Sequence, residues 1–182
     1  MTRIGIVCFC LTVLSGPLYT VGGYSAISNT VSQLGAQHTV HNYIMIAGFI
    51  ILGGALAFDG VKHYATTLLP FILFGGFMGL AGLFPHKPLD PAVSFNTTIH
   101  STHATLAAAA GVAITAGFIW QGVLSLATRQ KLICFYLAIV CVVFPILMLQ
   151  YPIYQGIIQR LMYLQVFIWL WIYYPSKIRK GQ

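Results

Sequence analysis

Charged residues are scarce in this chain, and acidic residues are almost absent. Charged side chains make up 6% of the 182 residues, with two acidic residues, Asp59 and Asp90, against nine lysines and arginines. Soluble domains carry about a quarter charged residues, because a water-facing surface needs them. A chain that is 58% hydrophobic, with a mean hydropathy of +0.85, cannot cover such a surface. The composition excludes a soluble protein and predicts an integral membrane protein.

Cysteine is scarce as well. The four cysteines, Cys8, Cys10, Cys134 and Cys141, all lie in apolar runs of the sequence. Cys8 and Cys10 are two residues apart, so they point in different directions on a helix. We therefore expect apolar packing from these residues, and neither a disulfide framework nor a thiolate metal site.

Long polar tracts and linkers are missing between the apolar runs. Spanning a bilayer takes a helix of about 20 mostly apolar residues. Six runs meet this requirement, at residues 4–22, 42–58, 67–84, 100–126, 132–150 and 157–174. The sequence therefore predicts an all-α, multi-pass bundle of six transmembrane helices, which forms a single integral-membrane domain over residues 1–182.

The basic residues indicate how this bundle is oriented. If the chain crosses the membrane six times, seven of the nine lie on one side: Arg3, Lys62, Arg129, Lys131, Lys177, Arg179 and Lys180. By the positive-inside rule that side is cytoplasmic, and both termini are predicted to lie there. In a bacterium the membrane would be the inner, plasma membrane. The net positive charge then reflects topology, and we expect no binding to nucleic acid.

Histidine is concentrated on the predicted outer face, which carries the loops 23–41, 85–99 and 151–156. Five of the six histidines lie there, and the sixth, His63, lies inside. The five are His38, His41, His86, His100 and His103. The cytoplasmic loops are short and chemically plain, so we expect any binding or catalysis on the outer face.

Two pairs of histidines have the spacing of a helix face. His38 and His41 are three apart, as are His100 and His103, and such residues lie on one side of a helix. His100 and His103 follow Asp90, which could add an oxygen ligand or act as a general base. The pattern indicates a divalent metal site, with zinc as one candidate, at His100, His103 and Asp90. The alternative is that these histidines merely lie at the membrane interface, and His38 and His41 are better interpreted as capping a loop.

Arg160 lies about one turn inside the last apolar run, where a guanidinium is costly unless it reaches water or finds a partner. It could extend to the interface, bind an anionic headgroup, or pair with Asp90. We expect Asp90, His100, His103 and Arg160 to face one another in a polar pocket at the outer boundary.

Glycines 75, 76 and 79 form a small-xxx-small pattern in the third apolar run. Such a pattern allows two membrane helices to approach closely. We expect Gly76→Leu to destabilise the fold by overpacking this contact.

Three motifs resemble the family of small multi-pass membrane proteins called DUF998. They are YSAISNTVSQLG at Tyr24–Gly35, LFPHKPLD from Leu83 with the histidines that follow it, and GIIQR at Gly156–Arg160. These motifs span nearly the whole chain. The resemblance implies a set of outer-face positions of interest, Asn29, Ser32, Asp90, His103 and Arg160, but no established activity.

Three functions fit these observations. The first is a non-enzymatic subunit or lipid- or quinone-binding module, whose partners are membrane lipids and other membrane subunits. The second is a metal-dependent hydrolase or transferase acting on a lipid, by analogy with the intramembrane ceramidase-like hydrolases. In that case Asp90 and His103 would be catalytic, and Arg160, Asn29 and Ser32 would bind substrate. The third is a haem protein with His41 and His103 as axial ligands.

Overall fold

The structure, a computed structural model, describes residues 1–62 and 66–174. Within these ranges it contains seven α-helices and no strand, so the predicted all-α class is confirmed. The helices are α1 Thr2–Leu14, α2 Gly16–Tyr19, α3 Asn42–Lys62, α4 Leu69–Gly82, α5 Thr97–Leu124, α6 Thr128–Gln150 and α7 Gln155–Ile172. Short 3-10 turns lie at Val31–Gly35, Thr66–Leu68 and Pro152–Tyr154. His63 and the basic residues at 177, 179 and 180 lie outside the described residues.

Each of the six predicted apolar runs is helical, but the helices differ in length. Helices α3, α5 and α6 have 21, 28 and 23 residues and are long and apolar enough to cross a membrane. Helices α1 and α4 are apolar but have only 13 and 14 residues, which corresponds to a length of about 20 Å each. Helix α7 has 18 residues. The chain is therefore a helical membrane protein with at least three helices able to span the bilayer.

Helix α1 ends earlier than the sequence predicts, because two residues break it. Ser15 Oγ donates to the carbonyl of Leu11 at 2.8 Å, and Pro17 has no N–H to continue the ladder of hydrogen bonds. At Gly16 an added Cβ would lie 2.6 Å from a methyl of Leu34. The single turn α2 follows, and the chain then runs without regular structure from residue 20 to residue 30.

The helices pack in sequence around the bundle. Helix α3 lies between α1 and α4, α5 packs on α4 and α6, and α7 packs on α6. Near its end, α7 also reaches the centre, where Trp169 stacks on Phe71 of α4 at 5.2 Å and meets Phe118 of α5 edge-on at 5.1 Å. The contact between α1 and α7 is the least extensive of the neighbouring pairs, which leaves an opening between these two helices.

The tightest helix contact joins α3 and α4 through glycines. A Cβ added to Gly53 would lie 2.5 Å from the backbone nitrogen of Gly79, and one added to Gly75 would lie 2.7 Å from the carbonyl oxygen of Gly53. The predicted close approach is therefore present. Gly76, however, has no atom within 4 Å of the added Cβ. The prediction for Gly76→Leu is wrong, because Gly76 is about 100° around the helix from Gly75 and faces away from the contact.

We use the name loop face for the end of the bundle formed by residues 20–41, 83–96 and 151–154. Helices α1, α4 and α6 end there, and α3, α5 and α7 begin there. All the site residues predicted from the sequence lie at this end.

Candidate functional site

The start of α7 is docked against the loop that follows α2. Gly156 is buried there, and a Cβ at this position would lie 2.6 Å from the carbonyl oxygen of Ala26 and 2.9 Å from that of Ile27. The backbone nitrogen of Ile157 donates to Ile27 O at 3.0 Å. The absence of a side chain at 156 is therefore what allows the two backbones to meet.

Gln159 connects the same two segments one turn later. Its Oε1 accepts a hydrogen bond from the backbone nitrogen of Val31 at 2.7 Å, and its side chain is buried. Val31 begins a 3-10 turn that Thr30 and Gln33 cap, since the Thr30 nitrogen donates to Gln33 Oε1 at 2.7 Å. The polar residues of the first motif thus satisfy the backbone of the loop itself and its attachment to α7.

Arg160 completes this attachment. Its Nη1 donates to the carbonyl oxygens of Ala26 at 2.8 Å, Asn29 at 3.0 Å and Gly156 at 2.9 Å. Its Nη2 donates to the hydroxyl of Tyr24, which in turn donates to the carbonyl of Thr30 at 3.2 Å. We refer to Tyr24, Gly156, Gln159 and Arg160 together as the arginine clamp.

Burial raises the pKa of the Tyr24 hydroxyl, and the neighbouring Arg160 charge and hydrogen bond partly oppose this rise. Tyr24 therefore stays protonated at neutral pH and keeps its hydrogen for the loop carbonyl. Its ring lies beneath the guanidinium, with Arg160 Cζ 5.9 Å from the ring centroid. Tyr24 holds the position of Arg160 without neutralising its charge.

An apolar groove with a volume of about 710 Å³ begins at the arginine clamp and runs between α1 and α7. Helix α1 contributes Ile6, Phe9, Cys10, Val13 and Leu14, and α7 contributes Tyr163, Leu164, Phe167, Ile168, Trp171 and Ile172. Arg160, Tyr24 and Ala26 line the groove at the loop face. The groove thus has a polar, positively charged end and a long apolar body.

A second polar group on the loop face consists of three histidines, His86, His100 and His103. The ring of His86 lies 4.6 Å from that of His100 and 5.6 Å from that of His103, measured between centroids. His103 is buried on α5, and its Nδ1 lies 2.9 Å from the carbonyl oxygen of Ala81. His100 and His103 therefore both lie against His86.

Gln37 fixes the loop that carries His86. Its backbone nitrogen donates to His86 O at 2.8 Å, and its side-chain amide exchanges hydrogen bonds with the backbone of Asn96 at 2.9 and 3.1 Å. Asn96 also caps α5, because its Oδ1 accepts from the backbone nitrogen of Ile99 at 3.1 Å. The loop between α4 and α5 is thus tied to the loop before α3.

The environment of His86 keeps it uncharged at neutral pH. Burial lowers the pKa of His86 to about 4, and repulsion from the nearby His103, His100 and Lys87 lowers the pKa further, while the hydrogen bond to Lys87 O opposes the shift. Ser32 lines a cavity of about 10 Å³ beside His86 and His103, which is about the size of one water molecule. The cavity beside these two histidines is therefore small.

Asp90 belongs to neither group. It is exposed, and its Oδ1 accepts a hydrogen bond from the backbone nitrogen of Ala92 at 2.8 Å, closing a local turn. The predicted pairing with Arg160 is not formed: among the described residues the ion pair observed joins the amine of Met1 to Asp59 at 2.9 Å. The four residues expected to face one another in one pocket are therefore distributed over separate contacts.

The described part of the chain contains no group of three or more His, Cys, Asp or Glu side chains placed to hold a metal ion. Of the residues predicted to bind zinc, His100 accepts a hydrogen bond at Nδ1 from Lys87 N at 3.3 Å, and Asp90 closes its own turn. A metal site at His100, His103 and Asp90 stays a prediction, and elemental analysis of the purified protein would test it.

The proposed haem ligands also have different surroundings. His41 is exposed, with its Nδ1 3.2 Å from the hydroxyl of Tyr43, whereas His103 is buried beside α4. His38, the first residue of the other pair, is exposed and has a positive φ of 64°, as expected in a turn.

Five residues of these groups were not predicted as site residues: Tyr24, Gln37, His86, Gly156 and Gln159. All but Gln37 stand in the motifs quoted above, so a signal for them existed in the sequence. Their partners lie far away along the chain, however, and the contacts could not be identified from spacing. Of the predicted substrate-binding residues, Asn29 joins Arg160 through its carbonyl, and Ser32 lies beside the histidines.

The fold and these features define a helical membrane protein with an apolar groove that opens beside a clamped arginine. The family model described as "Protein of unknown function (DUF998)" matches residues 4–174, so the chain belongs to the DUF998 family. No curated protein and no solved structure matched the chain in the corresponding comparisons.

Proposed function

We propose that this protein is a non-enzymatic lipid-binding module of the membrane, which holds a lipid hydrocarbon chain in the groove between α1 and α7. The observation that supports the proposal is the groove itself. Its volume of about 710 Å³ lies within the range of roughly 300–1,000 Å³ for small-molecule sites. Its lining is almost wholly apolar, which suits a hydrocarbon chain and offers few groups for a polar substrate.

The length of the groove supports the same occupant. Its lining on α7 extends from Arg160 to Ile172, which corresponds to a distance of about 18 Å along the helix. This is more than half of the bilayer's hydrocarbon thickness of about 30 Å. An extended chain could lie along the groove with its headgroup at the loop face.

The polar groups of the loop face favour binding over catalysis. Arg160 and Gln159 make hydrogen bonds to backbone groups of the loop after α2, and His103 makes one to Ala81 O. These hydrogen bonds stabilise the fold by joining separate segments of the chain. Asp90, the predicted general base, is exposed and closes its own turn.

We further propose six membrane crossings with both termini in the cytoplasm, and hence an outer location for the loop face. The order of the helices supports this, and so does charge: Arg3, Lys62, Arg129 and Lys131 lie at the end opposite the loop face. The short helices α1 and α4 would cross with the help of their flanking residues and local thinning of the bilayer.

The sidedness predicts a labelling result. Ser94 is exposed in the loop between α4 and α5, so Ser94→Cys should react with a membrane-impermeant maleimide in intact cells. The native cysteines must first be replaced, and a cysteine at Arg129 serves as the cytoplasmic control. Labelling of position 94 only after permeabilisation would overturn the proposed topology.

Blocking the groove should weaken lipid binding. Leu164 lines the groove one turn below Arg160 and is 55% exposed. Leu164→Trp would place an indole in the groove, and we expect affinity for lipid to fall at least about tenfold. Native mass spectrometry of the protein titrated with dioleoyl phosphatidylglycerol in a neutral detergent would measure this.

Leu161→Trp is the matched control. Leu161 is 47% exposed on the same helix but does not line the groove, so its substitution should leave the affinity unchanged. Equal binding by both variants would mean that lipid adheres elsewhere. Loss of a dimer in Leu164→Trp would instead identify the groove as a protein interface.

A further inference from the structure

The geometry of the arginine clamp points to the class of lipid. We propose that the ligand carries an anionic headgroup, a phosphate or a carboxylate, and that Arg160 binds it where the groove meets the loop face. This inference rests on the proposed lipid-binding function and adds the chemistry of the headgroup.

Arg160 retains hydrogen-bonding capacity beyond the clamp. A guanidinium has five N–H donors. The two on Nη1 serve the carbonyls of Ala26, Asn29 and Gly156, and one on Nη2 serves Tyr24. Among the described residues, no acceptor forms a hydrogen bond with the N–H of Nε. The second hydrogen of Nη2 also makes no hydrogen bond to these residues. Two donors of a planar guanidinium match two oxygens of a phosphate or carboxylate.

Within the described part of the chain, the charge of Arg160 also has no counter-charge. The chain has two acidic side chains, and both are occupied elsewhere: Asp59 pairs with the amine of Met1, and Asp90 closes its own turn. Carbonyl oxygens satisfy donors but leave the net charge. Next to a hydrocarbon groove, an unneutralised guanidinium is costly, and an anion would remove that cost.

A lipid headgroup accounts for this arrangement better than a free anion does. Arg160 lines the same groove as Leu164 and Phe167, so a single amphiphile can fill the groove and reach the guanidinium at once. A dissolved phosphate would gain nothing from the apolar body of the groove. The clamp holds Arg160 in place before the ligand arrives, which lowers the entropic cost of binding.

Thermal stabilisation in a neutral detergent tests this inference, because a ligand that binds the folded state raises the melting temperature. Dioleoyl phosphatidylglycerol and dioleoyl phosphatidylcholine have the same chains and differ in net charge. We expect the wild-type protein to bind the anionic lipid about tenfold more tightly. The preference should shrink as salt is raised, since salt screens the charge of a partly exposed guanidinium.

Variants of the clamp identify the group responsible. Arg160→Gln should reduce the preference to about one, whereas Leu161→Trp, which lies outside the groove lining and leaves the charge of Arg160 in place, should retain it. If Arg160→Gln does not fold, Arg160→Lys replaces it and should retain a weaker, salt-sensitive preference. A preference unchanged in the variant that lacks or weakens the guanidinium would overturn the role of Arg160.

The same titration separates the two proposals. Equal stabilisation of the wild-type protein by both lipids would overturn the anionic headgroup and leave the lipid-binding function standing. No stabilisation by either lipid would overturn both. The third ligand to be titrated is inorganic phosphate. If it stabilises the protein as strongly as phosphatidylglycerol does, the ligand is a free anion and the inferred lipid headgroup is wrong.

Discussion

Gly53→Ala is expected to lower the melting temperature of the protein in detergent by about 10 °C. The new methyl group would meet backbone atoms of α4, at 2.5 Å from the nitrogen and 2.8 Å from the Cα of Gly79. Backbone atoms cannot rotate away as a side chain can, so α3 and α4 must separate along their whole contact. Overpacking of this kind costs about 1–3 kcal/mol where side chains can yield, and we expect the upper end here.

Gly54→Ala is the matched control for this substitution. A Cβ at Gly54 would meet nothing within 4 Å. Replacement of glycine by alanine inside a helix even stabilises by about 0.5–1 kcal/mol. The melting temperature of Gly54→Ala should therefore equal or exceed that of the wild-type protein. Equal melting temperatures for the two variants would show that α3 and α4 do not meet through Gly53.

Gly156→Ala is expected to detach the loop after α2 from α7. The added methyl group would clash with the carbonyl oxygens of Ala26 and Ile27, and the loop would have to move away from the helix. The bonds from Ile157 to Ile27, from Val31 to Gln159 and from Arg160 to the loop carbonyls would be lost together. At about 1 kcal/mol for each of these four hydrogen bonds, we expect a loss of roughly 4 kcal/mol.

Hydrogen exchange would locate this effect. In Gly156→Ala the amides of Val31 and Ile157 should exchange much faster than in the wild-type protein, while those in the middle of α3 and α5 should not change. Gly111→Ala, where the added Cβ meets nothing within 4 Å, is the control and should change neither region. Unchanged protection of Val31 in Gly156→Ala would contradict the clamp.

The helices could be predicted from the sequence because apolar length alone specifies them. Each of the six predicted runs overlaps a helix, with ends that differ by a few residues. The early end of α1 was missed because the run of apolar residues continues through Gly16 and Pro17. Ser15, Pro17 and the packing of Leu34 against Gly16 end this helix.

The site was predicted less well, because its contacts join distant parts of the chain. Arg160 was correctly identified as needing a partner, but the sequence offered Asp90 as the only acidic candidate on that face. The partners are instead the backbone carbonyls of Ala26 and Asn29 and the hydroxyl of Tyr24, all more than 130 positions away, together with one carbonyl from its own first turn. Backbone acceptors do not appear in a sequence, so no motif could have named them.

Adjacent glycines illustrate the same limit. Gly75 and Gly76 are equivalent in the sequence, yet one meets α3 and the other meets nothing within 4 Å. The choice depends on where α3 lies around α4, which is a property of the whole bundle. The pattern predicted a close contact correctly and could not say which glycine makes it.

The central claim, that a lipid chain lies between α1 and α7, can be tested by fluorescence quenching. Trp171 lines the groove and is 38% exposed, whereas Trp120 on α5 lies outside the groove lining and is 49% exposed. Both lie near the ends of their helices opposite the loop face. The third tryptophan, Trp169, is buried and contributes the same background to both measurements. Trp120→Phe and Trp171→Phe therefore isolate one reporter each.

The measurement is the quenching of each variant by a small mole fraction of chain-brominated phosphatidylglycerol in a phosphatidylcholine bilayer. If a lipid chain occupies the groove, the Trp120→Phe variant, which keeps Trp171, is quenched several times more strongly than the Trp171→Phe variant. If lipid meets the protein only as surrounding bilayer, the more exposed Trp120 is quenched at least as strongly as Trp171. The first result is the one that this account predicts, and the second would contradict it.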